Sequence, residues 1–187
     1  MIKPHLLAAE PEQACVSLIG MAACGKSSVG RGLARHLGWA HLDTDHLIEA
    51  AYAAPLQKIM NSLGREGFLA AEDKIISALR LRRTVISTGG SAIYSPGAMR
   101  HLAALGSVVH LDVPLPVILE RIARKPERGL VIAPGQTVED LFAEREALYR
   151  QWRTDVVKTD GQGQAADVAA AVADLLGLRP GETGEQA

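Results

Sequence analysis

Short apolar runs alternate with longer amphipathic segments along most of the chain. The apolar runs predict strands near residues 14–19, 38–43, 84–87, 108–111 and 155–158. Apolar positions at helical spacing predict helices near residues 26–37, 45–53, 67–82, 96–105, 115–124, 137–152 and 165–176. Strands separated by helices are typical of a parallel sheet covered on both faces, so the sequence predicts an α/β fold.

The length of 187 residues is enough for one domain with a full core and short for two. Residues 1–13 contain Pro4 and Pro11 and have no periodicity, and residues 179–187 are polar with glycine and proline. Both ends are therefore predicted to be flexible, and residues 14–178 are predicted to form the single domain.

Charge and composition exclude several kinds of partner. The net charge of −1 and the pI of about 6.6 give no basic surface for nucleic acid or for an anionic membrane. The densest basic stretch, residues 80–83, falls at the end of a predicted helix, where cations suit the helix dipole. No apolar run is long enough to cross a membrane, and Cys15 and Cys24 match no metal-binding or disulfide pattern. We expect a cytoplasmic monomer with reduced thiols.

Residues 20–27 read Gly-Met-Ala-Ala-Cys-Gly-Lys-Ser and match the phosphate-binding pattern G-x-x-x-x-G-K-[ST] at every fixed position. The motif follows a predicted strand and precedes a predicted helix, as the mechanism requires. Lys26 is expected to reach the β and γ phosphates of a nucleoside triphosphate, and the Ser27 hydroxyl to ligate Mg²⁺. The predicted nucleotide-binding residues of this loop are Gly20, Ala22, Ala23, Cys24, Gly25, Lys26, Ser27 and Ser28.

Two carboxylates follow the second predicted strand. Asp43 and Asp45 lie two positions apart, so in an extended backbone both side chains face the cleft above the phosphates. One can hold Mg²⁺ through its water shell, and the other can accept a proton from an attacking hydroxyl. Alternatively, Asp45 is only the N-cap of the helix that follows.

Three later segments are candidates for the rest of the site. Gly89 and Gly90, followed by Ser91, let the backbone approach a ligand closely, although they also fit a plain tight turn. The basic segment of residues 121–135 reads as a lid, here taken as about 125–136, or as an ordinary solvated loop. Arg145, on the helix after the lid, has acidic neighbours and alternatively forms only a surface ion pair.

The ordered set of these motifs resembles the shikimate kinase family, a P-loop fold of the nucleoside monophosphate kinase type, over about residues 14–176. The matching pieces are residues 20–27, Asp43-Thr44-Asp45, Gly64 to Phe68, Gly89-Gly90, Arg128 and residues 145–149. The resemblance implies a three-layer α/β/α fold with a five-stranded parallel sheet in the order 2-3-1-4-5 and a mobile lid. It also implies ATP and Mg²⁺ as cofactors and an acceptor-binding region at about residues 44–80.

The resemblance also implies a role for each matching residue. Lys26 contacts phosphate, Ser27 and Asp43 hold Mg²⁺, and Asp45 contacts the acceptor hydroxyl and acts as general base. Arg128 is the lid arginine that acts in catalysis, and Arg121 packs on the adenine. Arg145 clamps a carboxylate of a small hydroxylated acceptor, beside Gly89 and Gly90.

Two departures from the family pattern concern the acceptor. After Gly-Phe the family has an arginine that forms a second clamp on the shikimate carboxylate, and this chain has Leu69. The third glycine of the family's Gly-Gly-Gly is Ser91. Loss of a guanidinium makes that wall apolar and weakens binding of a carboxylate by roughly ten- to a hundredfold. Two acceptors stay open: shikimate, and a zwitterionic hydroxy amino acid such as homoserine.

Two other classes of function also use a phosphate-binding loop. A GTPase switch needs an Asn-Lys-x-Asp signature, and the only asparagine, Asn61, lies in another context, so this class is excluded. A catalytically silent ATP-binding regulatory protein is the remaining alternative, because Leu69 also fits decay of the acceptor site. Retention of Lys26 and Asp45 argues against that alternative.

Overall fold

The computed structural model describes residues 14–124, 130–133 and 135–179. Five strands form one parallel sheet in the order β2-β3-β1-β4-β5. This order, implied by the family resemblance, is confirmed. The strands are β1 (Cys15–Ile19), β2 (Ala40–Asp43), β3 (Thr84–Ser87), β4 (Gly106–Asp112) and β5 (Asp155–Lys158).

Seven α-helices connect and cover the strands in the described part of the chain. They are α1 (Lys26–Leu37), α2 (Thr44–Tyr52), α3 (Leu56–Ser77), α4 (Pro96–Leu105), α5 (Leu115–Ala123), α6 (Val138–Trp152) and α7 (Ala165–Leu176). A short 3₁₀ helix spans Ala92–Tyr94. α1 packs on α7, whereas α3 packs on α4. The predicted three-layer α/β/α arrangement is confirmed.

The central strands are buried because helices cover them on both faces. All five residues of β1 and all four of β3 are buried, which explains why both read as continuous apolar or small-residue runs. Leu18, Ile86 and Val108 are fully buried at the centre of this core. The rigid sheet fixes the positions of the loops at its carboxyl edge, and these loops carry the candidate site.

The third helix differs most from its prediction. It begins at Leu56 rather than near residue 67, and it ends at Ser77 rather than near residue 82. Gly64, with φ 65° and ψ 179°, breaks the helical geometry between two segments, and this kink hides the periodicity of the first one.

The basic stretch of residues 80–83 therefore lies beyond the end of α3, and its predicted place within a helix end was wrong. Arg80 nevertheless caps that end, since its Nη1 donates to the Ser77 carbonyl across 3.2 Å. No helix among the described residues has the length and apolar character needed to cross a membrane.

Candidate functional site

The phosphate-binding loop joins β1 to α1 in a strained backbone conformation. Gly20, Ala23 and Gly25 all have positive φ, of 148°, 65° and 107°. A Cβ on Gly20 would stand 2.8 Å from the carbonyl oxygen of Leu111, so only glycine allows this close approach. Because α1 begins at Lys26 without a side-chain cap, the positive end of its dipole lies at the loop. Such a loop suits an anion.

Lys26 is held on the loop itself. Its Nζ donates to the carbonyl oxygens of Gly20, across 2.8 Å, and of Met21, across 2.9 Å. The side chain is only 8% exposed, so its charge is fixed at the mouth of the loop rather than free in solvent. The Lys26 ammonium forms no salt bridge with a carboxylate among the described residues, so its charge is suited to a phosphate oxygen.

Asp43 links the loop to the end of β2. Its Oδ2 accepts a 2.6 Å hydrogen bond from Ser27 Oγ, and its Oδ1 accepts the backbone N–H of Asp45 across 3.1 Å. The second contact makes Asp43 the N-cap of α2. The alternative that gave this capping role to Asp45 is therefore wrong, and Asp45 lies in the first helical turn with its carboxylate free for another task.

A cleft of about 380 Å³ lies between the loop and these carboxylates. Its lining includes Lys26, Ser27, Ser28, Asp43 and Asp45. The Ser27 hydroxyl and the Asp43 carboxylate are hard oxygen donors in direct contact, which is the donor chemistry that Mg²⁺ prefers next to phosphate. The residues present therefore fit a magnesium nucleotide.

Burial and the neighbouring charge of Asp43 raise the pKa of Asp45 from 3.8 to about 6, although Lys26 opposes this shift. A carboxyl group with a pKa in this range is ionised at neutral pH and is more basic than an ordinary aspartate. These properties suit a general base.

Arg145 is buried, at 1% exposure, so the alternative of a surface ion pair is wrong. Its Nη2 donates to the Val131 carbonyl across 3.1 Å, its Nε donates to the Tyr94 hydroxyl across 3.3 Å, and its guanidinium lies 5.3 Å from the centre of the Tyr94 ring. It lines a narrow cavity of about 20 Å³ beside the phosphate cleft. The other lining residues are Ala22, Asp45, Leu56, Met60, Phe68, Gly90, Ser91, Leu130 and Val131.

A side chain at either of the two consecutive glycines would displace the ends of charged side chains. A Cβ on Gly90 would stand 2.8 Å from Arg145 Nη1. A Cβ on Gly89 would stand 2.5 Å from Glu72 Oε1 and 2.6 Å from Asp45 Oδ1. This segment is therefore more than a plain tight turn, because its backbone lies directly against the three charged side chains of Arg145, Glu72 and Asp45.

Glu72, which sequence reasoning missed, is completely buried behind the glycines. Its Oε2 accepts a 2.6 Å hydrogen bond from Ser91 Oγ, and Oε1 has no hydrogen-bond partner among the residues described. Burial raises the pKa of Glu72 from 4.5 to about 7, with Asp45 adding to the shift while Ser91, Arg145 and Lys26 oppose it. A signal was present in the sequence, since Phe68, Glu72 and Ile76 form one stripe at i, i+4 spacing.

A second large cavity, of about 360 Å³, opens on the other side of the loop. Arg121 lines it, together with Gly25, Ser28 and Gly161. The guanidinium donates through Nη1 to the Ala23 carbonyl across 3.0 Å and through Nη2 to the Gly161 carbonyl across 2.6 Å. Its planar face is thereby fixed at the edge of this cavity, and a planar guanidinium suits stacking against a flat ring.

Comparison with known proteins decides the family. The family model described as shikimate kinase matches residues 22–176. The chain belongs to the shikimate kinase family. A shikimate kinase of Tolumonas auensis is 37% identical over 171 residues, which cover 89% of this chain and 99% of that protein.

Solved structures of family members show the same architecture. Shikimate kinase from Acinetobacter baumannii in complex with shikimate has a TM-score of 0.79 at 33% identity, and the match covers 87% of this chain and 92% of that chain. Shikimate kinase from Aquifex aeolicus has a TM-score of 0.73 at 28% identity, with 87% of this chain and 96% of that chain covered. The chain is therefore a phosphotransferase of a family that acts on an alcohol group.

Leu69 and Arg128 are the remaining positions of the family pattern. Leu69 is partly buried and packs against a small apolar cluster formed by Ile48, Ile59, Phe68 and Val131. The lid arginine, Arg128, lies outside the described residues, as do residues 125–129 and 134 of the predicted lid. The roles of the predicted site residues stay predictions, although the structure gathers Lys26, Ser27, Asp43, Asp45 and Arg145 around two adjoining cavities.

Proposed function

We propose that this protein is an ATP-dependent kinase that transfers the γ-phosphate to a hydroxyl of a small carboxylate-bearing metabolite of amino-acid biosynthesis. The position of Asp45 carries the proposal. Its side chain lines both the phosphate cleft and the narrow cavity that contains Arg145. A base at this junction can reach a hydroxyl whose carboxylate is held by the buried guanidinium.

The transfer follows from the placement of the chain's own groups. Asp45 accepts the proton of the acceptor hydroxyl as its oxygen attacks the γ phosphorus, and the bond from that phosphorus to the bridging oxygen breaks. ADP leaves with the electron pair of this bond, so atoms and charges balance. Lys26 stabilises the charge on the phosphate oxygens, and Arg128 is the proposed lid cation.

Magnesium, when bound, shields the negative charge of the phosphates and orients them. In this chain Ser27 and Asp43 would hold it, since their oxygens already meet at 2.6 Å. Arg121 would hold the base of the nucleotide from the cavity beside Gly161. Each of the four parts of the substrate pair, namely base, phosphates, hydroxyl and carboxylate, thus meets a residue suited to it.

Shikimate is the acceptor that the comparisons support. Relatives at 37% identity are shikimate kinases, and the Acinetobacter baumannii enzyme, at 33% identity, was solved with shikimate. In this chain Arg145 would bind the carboxylate and Asp45 the hydroxyl that is phosphorylated.

A second acceptor, a hydroxy amino acid such as homoserine, is favoured by Leu69. Without the second arginine the site has one fewer positive charge. Binding of a carboxylate is therefore weaker, and an ammonium group is no longer repelled. One clamp, Arg145, is sufficient for the single carboxylate of either acceptor.

A steady-state assay of ADP release, with and without Mg²⁺, tests the proposal. Shikimate and L-homoserine are the acceptors, and the release without acceptor is subtracted. We expect Mg²⁺-dependent turnover of at least one of them, and its loss in Lys26→Ala while the circular-dichroism spectrum shows that the fold is kept. ATP binding without transfer to either acceptor would contradict the proposal and favour the silent regulatory protein.

A further inference from the structure

Arg121 ties three segments of the chain together at the edge of the phosphate loop. It lies in the last turn of α5, and its Nη1 donates to the carbonyl oxygens of Ala23, across 3.0 Å, and Cys24, across 3.3 Å. Its Nη2 donates to the carbonyl oxygen of Gly161, in the segment between β5 and α7, across 2.6 Å. One guanidinium therefore fixes the phosphate loop against two other parts of the fold.

The loop needs this support because Ala23 has a left-handed backbone, with φ 65°. The other two residues of the loop with positive φ are glycines, Gly20 and Gly25. A Cβ makes this conformation roughly five- to thirtyfold less populated than the right-handed one, whereas glycine adopts both about equally. A strained residue of this kind persists only where its surroundings hold it.

The contacts of Ala23 show what holds it. A backbone hydrogen bond from Cys24 N–H to the Met21 carbonyl, across 3.2 Å, closes the turn that contains Ala23. The carbonyl of Ala23 itself accepts from Arg121, as does the next carbonyl along the chain. The guanidinium thus acts on the peptide groups on the carboxyl side of the strained residue.

The direction of these carbonyl groups matters for an anion. A phosphate loop binds through its N–H groups, and a carbonyl oxygen turned towards the phosphates would repel them. Arg121 lines the cavity of about 360 Å³ on the other side of the loop, so its hydrogen bonds draw the carbonyl oxygens of Ala23 and Cys24 to that side. Both oxygens are therefore held away from the cleft that Lys26 lines.

This contact does not compete with the proposed contact between Arg121 and a nucleotide base. The hydrogen bonds to the loop and to Gly161 use the edge of the guanidinium, and stacking on a base uses its flat face. The support of the loop can therefore be measured with a phosphate chain that carries no base.

We propose that Arg121 is a positioning residue of the phosphate loop, which holds the left-handed backbone of Ala23 in the conformation that binds phosphate. The inference rests on the proposed function, because it concerns the same loop, and goes beyond the contact of Arg121 with the base. Without the guanidinium, Ala23 relaxes and fewer molecules have a loop that is competent to bind. The apparent affinity for phosphate falls by the same factor.

The test is a cycle of two substitutions, with magnesium tripolyphosphate as the probe in a calorimetric titration. Arg121→Lys keeps the positive charge, but a single ammonium cannot donate to Ala23 and Gly161 together as the planar fork does. Ala23→Gly removes the cost of a positive φ, and the two substitutions are also combined. The matched control is Arg124→Lys, since Arg124 lines the same cavity but pairs with Glu120 at the surface.

Arg121→Lys should weaken binding of tripolyphosphate about five- to thirtyfold, the range set by the strain at Ala23. In the Ala23→Gly background the same substitution should weaken it less than about threefold, because glycine adopts the left-handed backbone without support. Arg124→Lys should stay within about twofold of wild type. Such a rescue by glycine is not expected if Arg121 only stacks on the base or only stabilises the fold.

An equal loss in both backgrounds would overturn the inference, and so would wild-type affinity for tripolyphosphate in Arg121→Lys. The second result would leave Arg121 with the base alone. Circular dichroism checks that each variant is folded. If Arg121→Lys is not folded, Arg121→Met, which keeps the apolar stem, takes its place in the cycle.

The titration needs neither acceptor nor transfer, so it separates this inference from the proposed function. Turnover of shikimate or L-homoserine, with tripolyphosphate affinity unchanged in Arg121→Lys, would overturn the inference and leave the kinase function standing. The expected loss and rescue, in a protein that binds ATP but transfers to neither acceptor, would support the role of Arg121 and overturn the kinase function. Wild-type protein that binds neither ATP nor tripolyphosphate would overturn both.

Discussion

The carboxylate of Asp43 accepts the backbone N–H of Asp45 across 3.1 Å while it accepts the Ser27 hydroxyl across 2.6 Å. One side chain therefore fixes both the proposed magnesium ligand on the loop and the first turn of α2, which carries the proposed base. The negative charge of Asp43 also raises the pKa of Asp45. The position of the proposed magnesium ligand Ser27, the position of Asp45 and the pKa of Asp45 are therefore coupled through Asp43.

The coupling predicts the pH dependence of activity. Asp45 must be ionised to accept a proton, and its pKa is about 6, so kcat/KM should rise with pH and level off above that value. Asp45→Asn should lower kcat by about 10²–10⁴-fold and remove this rise. Because the neighbouring Glu72 also titrates, the profile should be repeated in Glu72→Gln to leave a single ionisation. A pH profile that Asp45→Asn merely lowers, without a change of shape, would contradict the assignment of the base.

The raised pKa of Glu72 leads to a prediction about how the stability of the protein depends on pH. The pKa of Glu72 is about 7 in the folded protein, whereas the ordinary value of 4.5 applies to the unfolded chain. Between pH 4.5 and pH 7 the folded state therefore holds a proton that the unfolded chain has released. Stability therefore falls as pH rises through this window, by about 3 kcal/mol from this group. Tm of the wild type, relative to Glu72→Gln, should be lower at pH 8 than at pH 4.5 by on the order of 5–10 °C.

The control for this measurement is Asp73→Asn, since Asp73 is the next carboxylate of α3 but accepts the backbone N–H of Ala98 across 2.7 Å. The Tm of this variant should stay parallel to that of the wild type over the same range. If wild type and Glu72→Gln lose stability in parallel between the two pH values, Glu72 is not a buried carboxyl group with a raised pKa.

The parallel sheet was predicted from the alternation of apolar runs and helical segments, whereas its strand order was implied only by the family resemblance, because loops that meet at one edge do not fix which strands are neighbours. Arg145 could be anticipated only through the family resemblance. Its acidic neighbours in sequence suggested a surface pair, and burial against Tyr94 depends on the packing of α6 on the 3₁₀ helix. Glu72 was missed because its contacts with Gly89 and Ser91 join segments that are distant in sequence. A lone glutamate on an apolar helix stripe does not reveal these contacts.

Arg145 and Arg65 offer a matched pair for testing the carboxylate clamp. Both guanidinium groups lie over the ring of Tyr94, at 5.3 and 5.1 Å from its centre. Arg145 is buried in the cavity, whereas the Arg65 side chain is 43% exposed. Arg145→Lys, which keeps the charge and loses the fork, should raise KM of the acceptor about tenfold or more, and Arg65→Ala should change it little. An equal rise of KM in Arg65→Ala would instead identify Arg65 as the second clamp that Leu69 does not provide.

Leu69→Arg should convert the acceptor preference. The new guanidinium would stand three positions before Glu72 on α3, where it can pair with the free Oε1 and offer a second fork to a carboxylate. An ammonium would then meet a like charge, while shikimate would gain a charge-assisted contact. Both effects act in the same direction, so the ratio of kcat/KM for shikimate to that for L-homoserine should rise by about two orders of magnitude.

The control is Leu69→Met, which keeps the volume and apolar character of the side chain and should leave that ratio within a few-fold of wild type. Assays of both acceptors at saturating ATP and Mg²⁺ measure the change. If the arginine variant keeps the wild-type ratio, position 69 does not determine the acceptor. Among the described residues, Leu69 would then serve only to pack against the small apolar cluster that contains Phe68.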